Sequence, residues 1–231
     1  MTVPGLVVIG SGGFGREAAR AALDGGFPGA VLGFLDDAPD RTGTMVDGLP
    51  VLGPISLAAE LGDAVFVVAT GRPDQYTSRH SIVQRLGLDD DRYARVVHPR
   101  ASLAGDTALG CGSVVLAGVV ATAAVTIGRH VALMPNVVLT HDVVVAEFAT
   151  IASSVALAGG TRVDQGAYLG TATLVRQGLT IGEWAMTGMG AMVLTDVPAR
   201  RLWFGAPARD RGASPAVGYR PMRTPTLEGE A

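Results

Sequence analysis

Apolar and small residues repeat at a six-residue interval from Val97 to residue 198. Each hexad begins with a branched aliphatic residue, except for one Ala and one Thr, and a small or β-branched residue follows four positions later. The first-position residues are Val97, Leu103, Leu109, Val115, Ala121, Ile127, Leu133, Leu139, Val145, Ile151, Leu157, Val163, Leu169, Val175, Ile181, Thr187 and Val193. Seventeen uninterrupted hexads predict a parallel β-helix in which three hexads form one coil.

A prism of this kind constrains where chemistry can occur. The aliphatic side chains fill a narrow interior, and five to six coils stack over roughly 25 to 30 Å at a strand spacing of ~4.8 Å. No insertion interrupts the register, so no long loop carries a site. We therefore expect function on the outer surface of the prism or between subunits.

The N-terminal region has the alternation of strand and helix patterns that is typical of an α/β unit. Apolar runs at 6–10, 30–37 and 64–70 predict buried strands, a helix is expected from about residue 72 to 86, and 95–99 is expected to close the unit. The prediction is a small Rossmann-like βαβαβ domain. We place its limits at 1–96, with a β-helix domain at 97–198 and a C-terminal cap and tail at 199–231.

A glycine-rich turn follows the first strand. Gly10, Gly12 and Gly15 fit G-x-G-x-x-G and lead into an Ala-rich helix, so the turn could hold a phosphate at the helix N-terminus or serve packing alone. Asp36 and Asp37 end the second strand, where they could read a ribose or base or simply enter a turn. The region has room for one mononucleotide half, which favours one nucleotide over NAD.

Composition excludes several classes of function. Eighteen basic and 21 acidic residues give a net charge of −3, which provides no basic surface for nucleic acid or an anionic membrane. The single cysteine, Cys111, permits no disulfide within the chain and favours a reducing compartment. The N-terminus lacks a signal-peptide pattern, and the apolar stretches are periodic and short, so we expect a soluble cytoplasmic protein.

His141 and Asp142 are the candidate catalytic pair. His141 is the third residue of its hexad, which places it at an outward corner, where a neutral imidazole could accept a proton. From the residues alone, a solvated turn is an equally good interpretation. His80 lies in a helical stretch, His98 precedes a proline and His130 lies in a turn. The spacing of His, Cys, Asp and Glu residues predicts no metal site.

The combination of motifs resembles the hexapeptide-repeat sugar acyltransferases, in particular the N-acetyltransferases of bacillosamine and dideoxyamino-sugar type and the sialic acid O-acetyltransferases. The resemblance covers residues from about 5 to 210. Its matching stretches are VVIGSGGFGRE (7–17), GFLDD (33–37), HDVVVAEFATIASSVALAGG (141–160), VLTDVPA (193–199) and GAPAR (205–209).

This resemblance implies a left-handed β-helix, a homotrimer and acetyl-CoA in the groove between neighbouring prisms. It gives His141 the role of general base and Asp142 that of the acidic neighbour that strengthens it. The backbone N–H of Gly159, one coil further along the same edge, would face the thioester oxygen.

The resemblance also assigns the two substrate-binding regions. The nucleotide of the acceptor sugar would contact Gly12, Gly13 and Phe14 at the phosphate loop, with Asp36 and Asp37 near the base. The remaining coenzyme-facing positions fall on Thr150, Thr171 and Met189. Thr150 stands where relatives have a second histidine, so one coenzyme contact is expected to be altered.

The expected function is acetyl-CoA-dependent N-acetylation of a UDP- or dTDP-linked amino sugar, by direct transfer with His141 as base and no metal. Two alternatives remain at this point. One is O-acetylation of a sugar hydroxyl, as in sialic acid or a polysaccharide precursor; the other is a non-catalytic trimeric scaffold that binds nucleotide sugar.

Overall fold

The computed structural model describes residues 3–216, which form a small α/β domain followed by a long β-helix. The α/β domain contains β1 (Leu6–Ile9), α1 (Gly13–Ala21) with a π-helical turn (Ala22–Gly26), β2 (Val31–Leu35), β3 (Met45–Val46), β4 (Leu49–Gly53), a 3₁₀ turn (Ile55–Ala59), β5 (Val65–Val68), α2 (Ser78–Leu86) and a 3₁₀ turn (Asp90–Arg92).

The α/β domain is built on a five-stranded sheet of order β3-β4-β2-β1-β5, and all its pairs are parallel except β3 with β4. The strands and helices expected from the apolar runs are present. A hairpin and a 3₁₀ turn, rather than a full helix, connect β2 to β5. Asp47 and Gly48 both have positive φ at the tip of this hairpin, the geometry that an Asp-Gly turn supplies.

The β-helix consists of two-residue strands joined by turns. They are β6 (Val96–Val97), β7 (Ser102–Leu103), β8 (Ala108–Leu109), β9 (Val114–Val115), β10 (Val120–Ala121), β11 (Thr126–Ile127), β12 (Ala132–Leu133), β13 (Val138–Leu139), β14 (Val144–Val145), β15 (Thr150–Ile151), β16 (Ala156–Leu157), β17 (Arg162–Val163), β18 (Tyr168–Leu169), β19 (Leu174–Val175), β20 (Thr180–Ile181), β21 (Met186–Thr187) and β22 (Met192–Val193). Two longer strands, β23 (Arg201–Phe204) and β24 (Arg209–Ala213), close its end.

The pairing confirms the left-handed β-helix of hexapeptide repeats. Each strand pairs in parallel with the strand 18 residues away, as Val120 does with Val138, so three hexads make one coil. The second residue of each strand points inward, and together these aliphatic side chains form one continuous buried core. The predicted interior is therefore correct.

The prism has three faces, and their outward residues differ in chemistry. The covered face contains β6, β9, β12, β15, β18, β21, β23 and β24, and the α/β domain packs on it. The apolar face contains β7, β10, β13, β16, β19 and β22. Its outward residues are Ser102, Val120, Val138, Ala156, Leu174 and Met192, all of them partly or fully exposed. The third face contains β8, β11, β14, β17 and β20.

One expectation about the start of the β-helix was wrong. Residues 96–97 do not close the α/β sheet, because β6 pairs with β9 and begins the covered face. At the other end, in the segment that the sequence assigns to a cap and tail, Arg209–Ala213 pairs antiparallel with β23. The Ser214 hydroxyl then donates to the Trp184 carbonyl at 2.7 Å, which fixes this segment to the prism. The remaining tail, 217–231, lies outside the described residues.

Neither α-helix could span a bilayer, since each has nine residues, and no longer apolar helix exists within residues 3–216.

Candidate functional site

His141 and Asp142 form the turn between β13 and β14, on the edge where the apolar face meets the third face. The Nδ1 atom of His141 lies 2.8 Å from Oδ2 of Asp142, and about two thirds of each side chain is exposed. Asp142 adopts a φ of 61°, which turns the chain sharply and brings its carboxylate beside the imidazole. A carboxylate that accepts from Nδ1–H leaves the Nε2 lone pair free to accept a proton.

Gly159 lies one coil further along the same edge, directly against the imidazole of His141. A Cβ atom at residue 159 would come within 2.3 Å of Cε1 and 2.4 Å of Nε2 of that ring, so no larger residue fits without moving His141. The adjacent Gly160 N–H donates to the His141 carbonyl at 2.9 Å, which fixes the two turns together. Within residues 3–216 the N–H of Gly159 itself donates to no group, so it is available to a ligand on this edge.

The glycine-rich turn at the start of α1 contains two kinds of glycine. Gly10 has a φ of 101°, and a Cβ at Gly15 would lie 1.8 Å from the Gly10 carbonyl oxygen, so both glycines are required for packing. A Cβ on Gly12 or Gly13 would meet nothing within 4 Å. These two positions leave open space in front of the first N–H groups of α1, which is where an anion binds at a helix N-terminus.

Asp36 supports the glycine-rich turn. Its Oδ2 accepts hydrogen bonds from the Ser11 N–H at 2.8 Å and from the Ser11 hydroxyl at 2.6 Å. Burial alone would raise the pKa of the Asp36 carboxyl, but hydrogen bonds from Ser11 and Ala38 and the charge of Arg41 outweigh it and hold the pKa below its usual range.

Asp37 also has structural partners. Its Oδ1 accepts from the Ile55 N–H at 2.9 Å and its Oδ2 from Arg85 at 2.7 Å. Both carboxylates of the predicted base-reading pair therefore already hold backbone or side-chain donors of their own domain.

A cavity of about 150 Å³ lies between the glycine-rich turn and the covered face of the prism. Phe14 and Gly71 line it from the α/β domain. The prism contributes Ala132, Met134, Thr150, Ala152, Ser153, Tyr168 and Thr171. Sequence reasoning expected Thr150 and Thr171 to contact coenzyme; the structure brings them together with Phe14 at this cavity.

Arg79, which had no signal in the sequence, lies behind this cavity and is 1 % exposed. Its Nη1 donates to the Thr70 carbonyl at 2.8 Å, and its Nη2 donates to the Thr150 hydroxyl at 2.7 Å. It also donates to the carbonyls of residues 130, 148 and 149 on the prism. A single side chain thus joins α2 to the prism beside the cavity.

The predicted site residues occupy two separate edges of one chain. His141, Asp142 and Gly159 lie on the His141 edge, between the apolar and third faces, whereas Thr171 and Met189 lie in turns between the covered and apolar faces. The His141 edge is the one opposite the covered face, so a single chain does not bring His141 to the glycine-rich turn.

The other candidate bases are occupied in packing. His130 is 2 % exposed, and its ring stacks on that of Phe148 with the ring centroids 5.0 Å apart. Burial and the charges of Arg129 and Arg79 lower the pKa of His130 to about 4. His80 packs edge-on against Phe148 and Trp184. Within residues 3–216, no group of three or more His, Cys, Asp or Glu side chains could hold a metal ion, and the absence of a metal stays a prediction.

Comparisons with solved structures give the same two-domain arrangement. A perosamine N-acetyltransferase variant from Caulobacter crescentus, in complex with CoA and GDP-perosamine, is 28% identical with a TM-score of 0.81, covering 91% of this chain and 98% of its own. The acetyltransferase domain of PglB from Neisseria gonorrhoeae, in complex with acetyl coenzyme A, is 26% identical with a TM-score of 0.80, covering 90% of this chain and 99% of its own.

Sequence comparisons match parts of the chain. The family model of the PglD N-terminal domain matches residues 5–86. An acyl-[acyl-carrier-protein]–UDP-N-acetylglucosamine O-acyltransferase from Pseudomonas aeruginosa is 36% identical over 106 residues, which are 46% of this chain and 40% of that protein. The chain spans about two fifths of the length of the first curated relatives that it matches.

Proposed function

Because the chain belongs to the hexapeptide-repeat sugar acyltransferases, we propose that it transfers the acetyl group of acetyl-CoA to the amino group of a nucleotide-linked amino sugar. One observation carries this proposal: an exposed His141–Asp142 pair lies against Gly159, whose N–H is free within residues 3–216. A base and an oxyanion donor side by side are what acyl transfer to an amine requires.

The proposed reaction is direct transfer. Nε2 of His141 removes a proton from the sugar amine as its nitrogen attacks the thioester carbonyl, while Nδ1–H donates to Asp142. The Gly159 N–H stabilises the negative charge that develops on the carbonyl oxygen. When the C–S bond breaks, the thiolate of coenzyme A takes the proton from the imidazolium, and an amide and free thiol leave.

The acceptor would enter from the α/β domain. The diphosphate binds the open N–H groups at Gly12, Gly13 and Phe14, and Asp36 keeps this turn in place through Ser11. Asp37 stays a candidate for the base region, although its contacts to Ile55 and Arg85 leave it little freedom. Uridine, thymidine and guanosine diphosphates all suit this turn, since its N–H groups contact phosphate oxygens rather than bases.

The complete site requires a neighbouring subunit. The proposed assembly is a homotrimer in which the three-fold axis runs parallel to the prisms and the three apolar faces point to that axis. In this arrangement the His141 edge of one prism meets the Thr171–Met189 edge of the next. The cavity spans residues 132–171 and so lies at the level of residue 141, and rotation about such an axis preserves that level. Acetyl-CoA would lie in the groove between these edges, near Gly159 of one subunit and Thr171 and Met189 of the other.

The apolar face supports this assembly. Leu174 and Met192, on its outward surface, are 48% and 39% exposed, whereas the outward residues of the covered face are buried by the α/β domain and the C-terminal strands. An exposed sheet face of Val, Ala, Leu and Met is stabilised when a second copy removes it from water. We place the reaction in the cytoplasm, where acetyl-CoA and nucleotide sugars are available.

O-acylation is the second candidate, because the Pseudomonas aeruginosa relative is named for transfer to a sugar hydroxyl. A neutral histidine can deprotonate either acceptor. The test is incubation with acetyl-CoA and UDP-, dTDP- or GDP-linked 3-amino and 4-amino dideoxyhexoses, followed by mass spectrometry. Treatment of the product with hydroxylamine then distinguishes the two acceptors, because an amide resists hydroxylamine and an ester does not.

We expect one conjugate to gain an acetyl group as an amide, and His141→Ala to lose at least about 100-fold in kcat. Ester formation would support the second candidate. Binding of a conjugate with no turnover would indicate a scaffold, and full activity in His141→Ala would contradict the catalytic assignment.

A further inference from the structure

Arg79 is a buried cation for which residues 3–216 provide no acidic partner. Among residues 3–216 it forms no ion pair, and all its hydrogen bonds go to neutral oxygens: the carbonyls of Thr70, His130, Phe148 and Ala149, and the hydroxyl of Thr150. Burial lowers the pKa of Arg79 to about 10, so the side chain is still charged at neutral pH. Its neighbours are therefore polarised by a full positive charge in a region that excludes water.

Thr150 is the neighbour that faces the cavity. Its hydroxyl accepts from Arg79 at 2.7 Å, which commits an oxygen lone pair and leaves the hydroxyl proton to be donated elsewhere. The residue is 5% exposed and lines the cavity, yet its hydroxyl donates to no group within residues 3–216. The result is a buried, charge-assisted donor that has no acceptor in the part of the chain that the structure describes.

The cavity has room for one ring and no more. Its volume of about 150 Å³ is close to that of an engineered cavity that holds benzene, which is far too small for a nucleoside diphosphate. Phe14 lies at the end near the phosphate loop, and Ser153 and Thr171 lie at the end near the edge that would meet the His141 of a neighbour. A pyranose linked to a diphosphate at Gly12 and Gly13 would extend through this space.

We propose that the cavity holds the acceptor sugar, that the Thr150 hydroxyl donates a hydrogen bond to an oxygen of its ring or ring substituents, and that Arg79 is the positioning residue that orients this hydroxyl. The assignment rests on the proposed function and changes the role of Thr150, which the resemblance placed on the coenzyme. Ala132, Ala152 and Tyr168 would enclose the ring with methyl and aromatic groups. Ser153 and Thr171 lie at the far end of the cavity, so Thr150 would supply the polar contact beside the middle of the ring.

The test separates the sugar from the rest of the ligand. Dissociation constants are measured by calorimetry for full-length wild type, Thr150→Val and Thr150→Ser. The ligands are UDP-, dTDP- and GDP-linked 3-amino and 4-amino dideoxyhexoses, the matching nucleoside diphosphate alone, and coenzyme A. Thr126→Val is the matched control, because Thr126 is an exposed outward residue of the third face. Thermal unfolding confirms that each variant is folded.

We expect Thr150→Val to weaken binding of the sugar conjugate about tenfold while the constants for the nucleoside diphosphate and coenzyme A stay unchanged. Thr150→Ser keeps the donor and should restore the wild-type value. Arg79→Lys keeps the charge but not the planar guanidinium group, so it should also weaken binding of the sugar conjugate without changing binding of the other two ligands. If Arg79→Lys fails to fold, the Thr150 pair alone decides.

Unchanged binding of the conjugate in Thr150→Val overturns the inference and leaves the proposed function intact. Weaker binding of coenzyme A alone also overturns it and returns Thr150 to the coenzyme. A wild-type protein that binds none of the sugar conjugates overturns the inference and the proposed function together.

Discussion

Gly159 lies against the ring of His141 so closely that a Cβ atom at residue 159 would come within 2.4 Å of Nε2, the proposed proton acceptor. Gly159→Ala should therefore displace the imidazole and lower kcat by about 10- to 100-fold, because the edge is exposed and the ring is free to rotate outward. Steady-state kinetics and thermal unfolding measure the effect.

Gly160 provides a control for Gly159. A Cβ at Gly160 would meet only the Cα of Gly178 at 3.9 Å, but its φ of 67° makes alanine there strained. Gly160→Ala should thus reduce stability by about 1 kcal/mol with a smaller loss of kcat. Equal kcat in Gly159→Ala and wild type would contradict the placement of the ring.

Asp142 fixes the tautomer of His141 through its 2.8 Å contact to Nδ1. Asp142→Asn should lower kcat by roughly 10-fold or more with little change in KM, because the amide no longer stabilises the imidazolium formed in the transition state. The pair is exposed, so stability should change by less than about 0.5 kcal/mol. A KM effect without a kcat effect would argue that Asp142 binds substrate instead.

The two kinds of glycine in the phosphate loop should respond differently to alanine. Gly13→Ala should leave unfolding unchanged and raise KM for the nucleotide sugar, since the added methyl group enters only ligand space. Gly15→Ala should cost about 3 kcal/mol in unfolding free energy, because its Cβ would overlap the Gly10 carbonyl oxygen. Denaturant titration and initial rates distinguish the two, and an unchanged KM in Gly13→Ala would contradict phosphate binding there.

His130 should make the folded state sensitive to acid. Its pKa is lowered from 6.5 to about 4 in the folded chain, so the unfolded chain binds the proton more readily, and stability is lost as pH falls from about 6.5 toward 4. The loss should approach about 3 kcal/mol. Denaturant titrations at pH 7 and 4.5 should show a smaller decrease for His130→Phe than for wild type; equal decreases would contradict this account.

The apolar face should hold the assembly together. Leu174→Glu should yield smaller particles in light scattering and lose nearly all activity, because a buried unpaired carboxylate opposes association. Thr180→Glu, on the third face, is the matched control and should retain the wild-type particle size and activity. Retained activity in a monomeric Leu174→Glu protein would rule out a site shared between subunits.

The sequence predicted the β-helix well because each six-residue repeat encodes one short strand and one turn by itself. The aliphatic residue must point inward and the turn must close at a fixed interval, so even a register of two-residue strands was correct. The prediction of the α/β domain was less complete. The hairpin at Asp47–Gly48 carried an Asp-Gly signal that could have been found, whereas the strand of 209–213 depends on pairing with β23 and had no local pattern.

The sequence predicted only those parts of the site whose residues lie on the same edge of the prism. His141 and Gly159 differ by one coil, so their proximity followed from the 18-residue period. Arg79 and the sugar-sized cavity depend on how α2 docks onto the covered face, and no periodicity records that contact. The structural roles of Asp36 and Asp37 likewise depend on Ser11, Ile55 and Arg85, which are distant in sequence.

Mixing two inactive variants shows whether His141 of one subunit acts on a sugar held by another. His141→Ala keeps the phosphate loop, and Gly13→Val keeps the base but blocks the loop. Trimers formed at random from equal amounts should recover about one quarter of the wild-type activity, since one ordered neighbour pair in four is complete. Mixed assemblies that stay inactive, although each variant alone assembles and folds like wild type, would contradict a site shared between subunits.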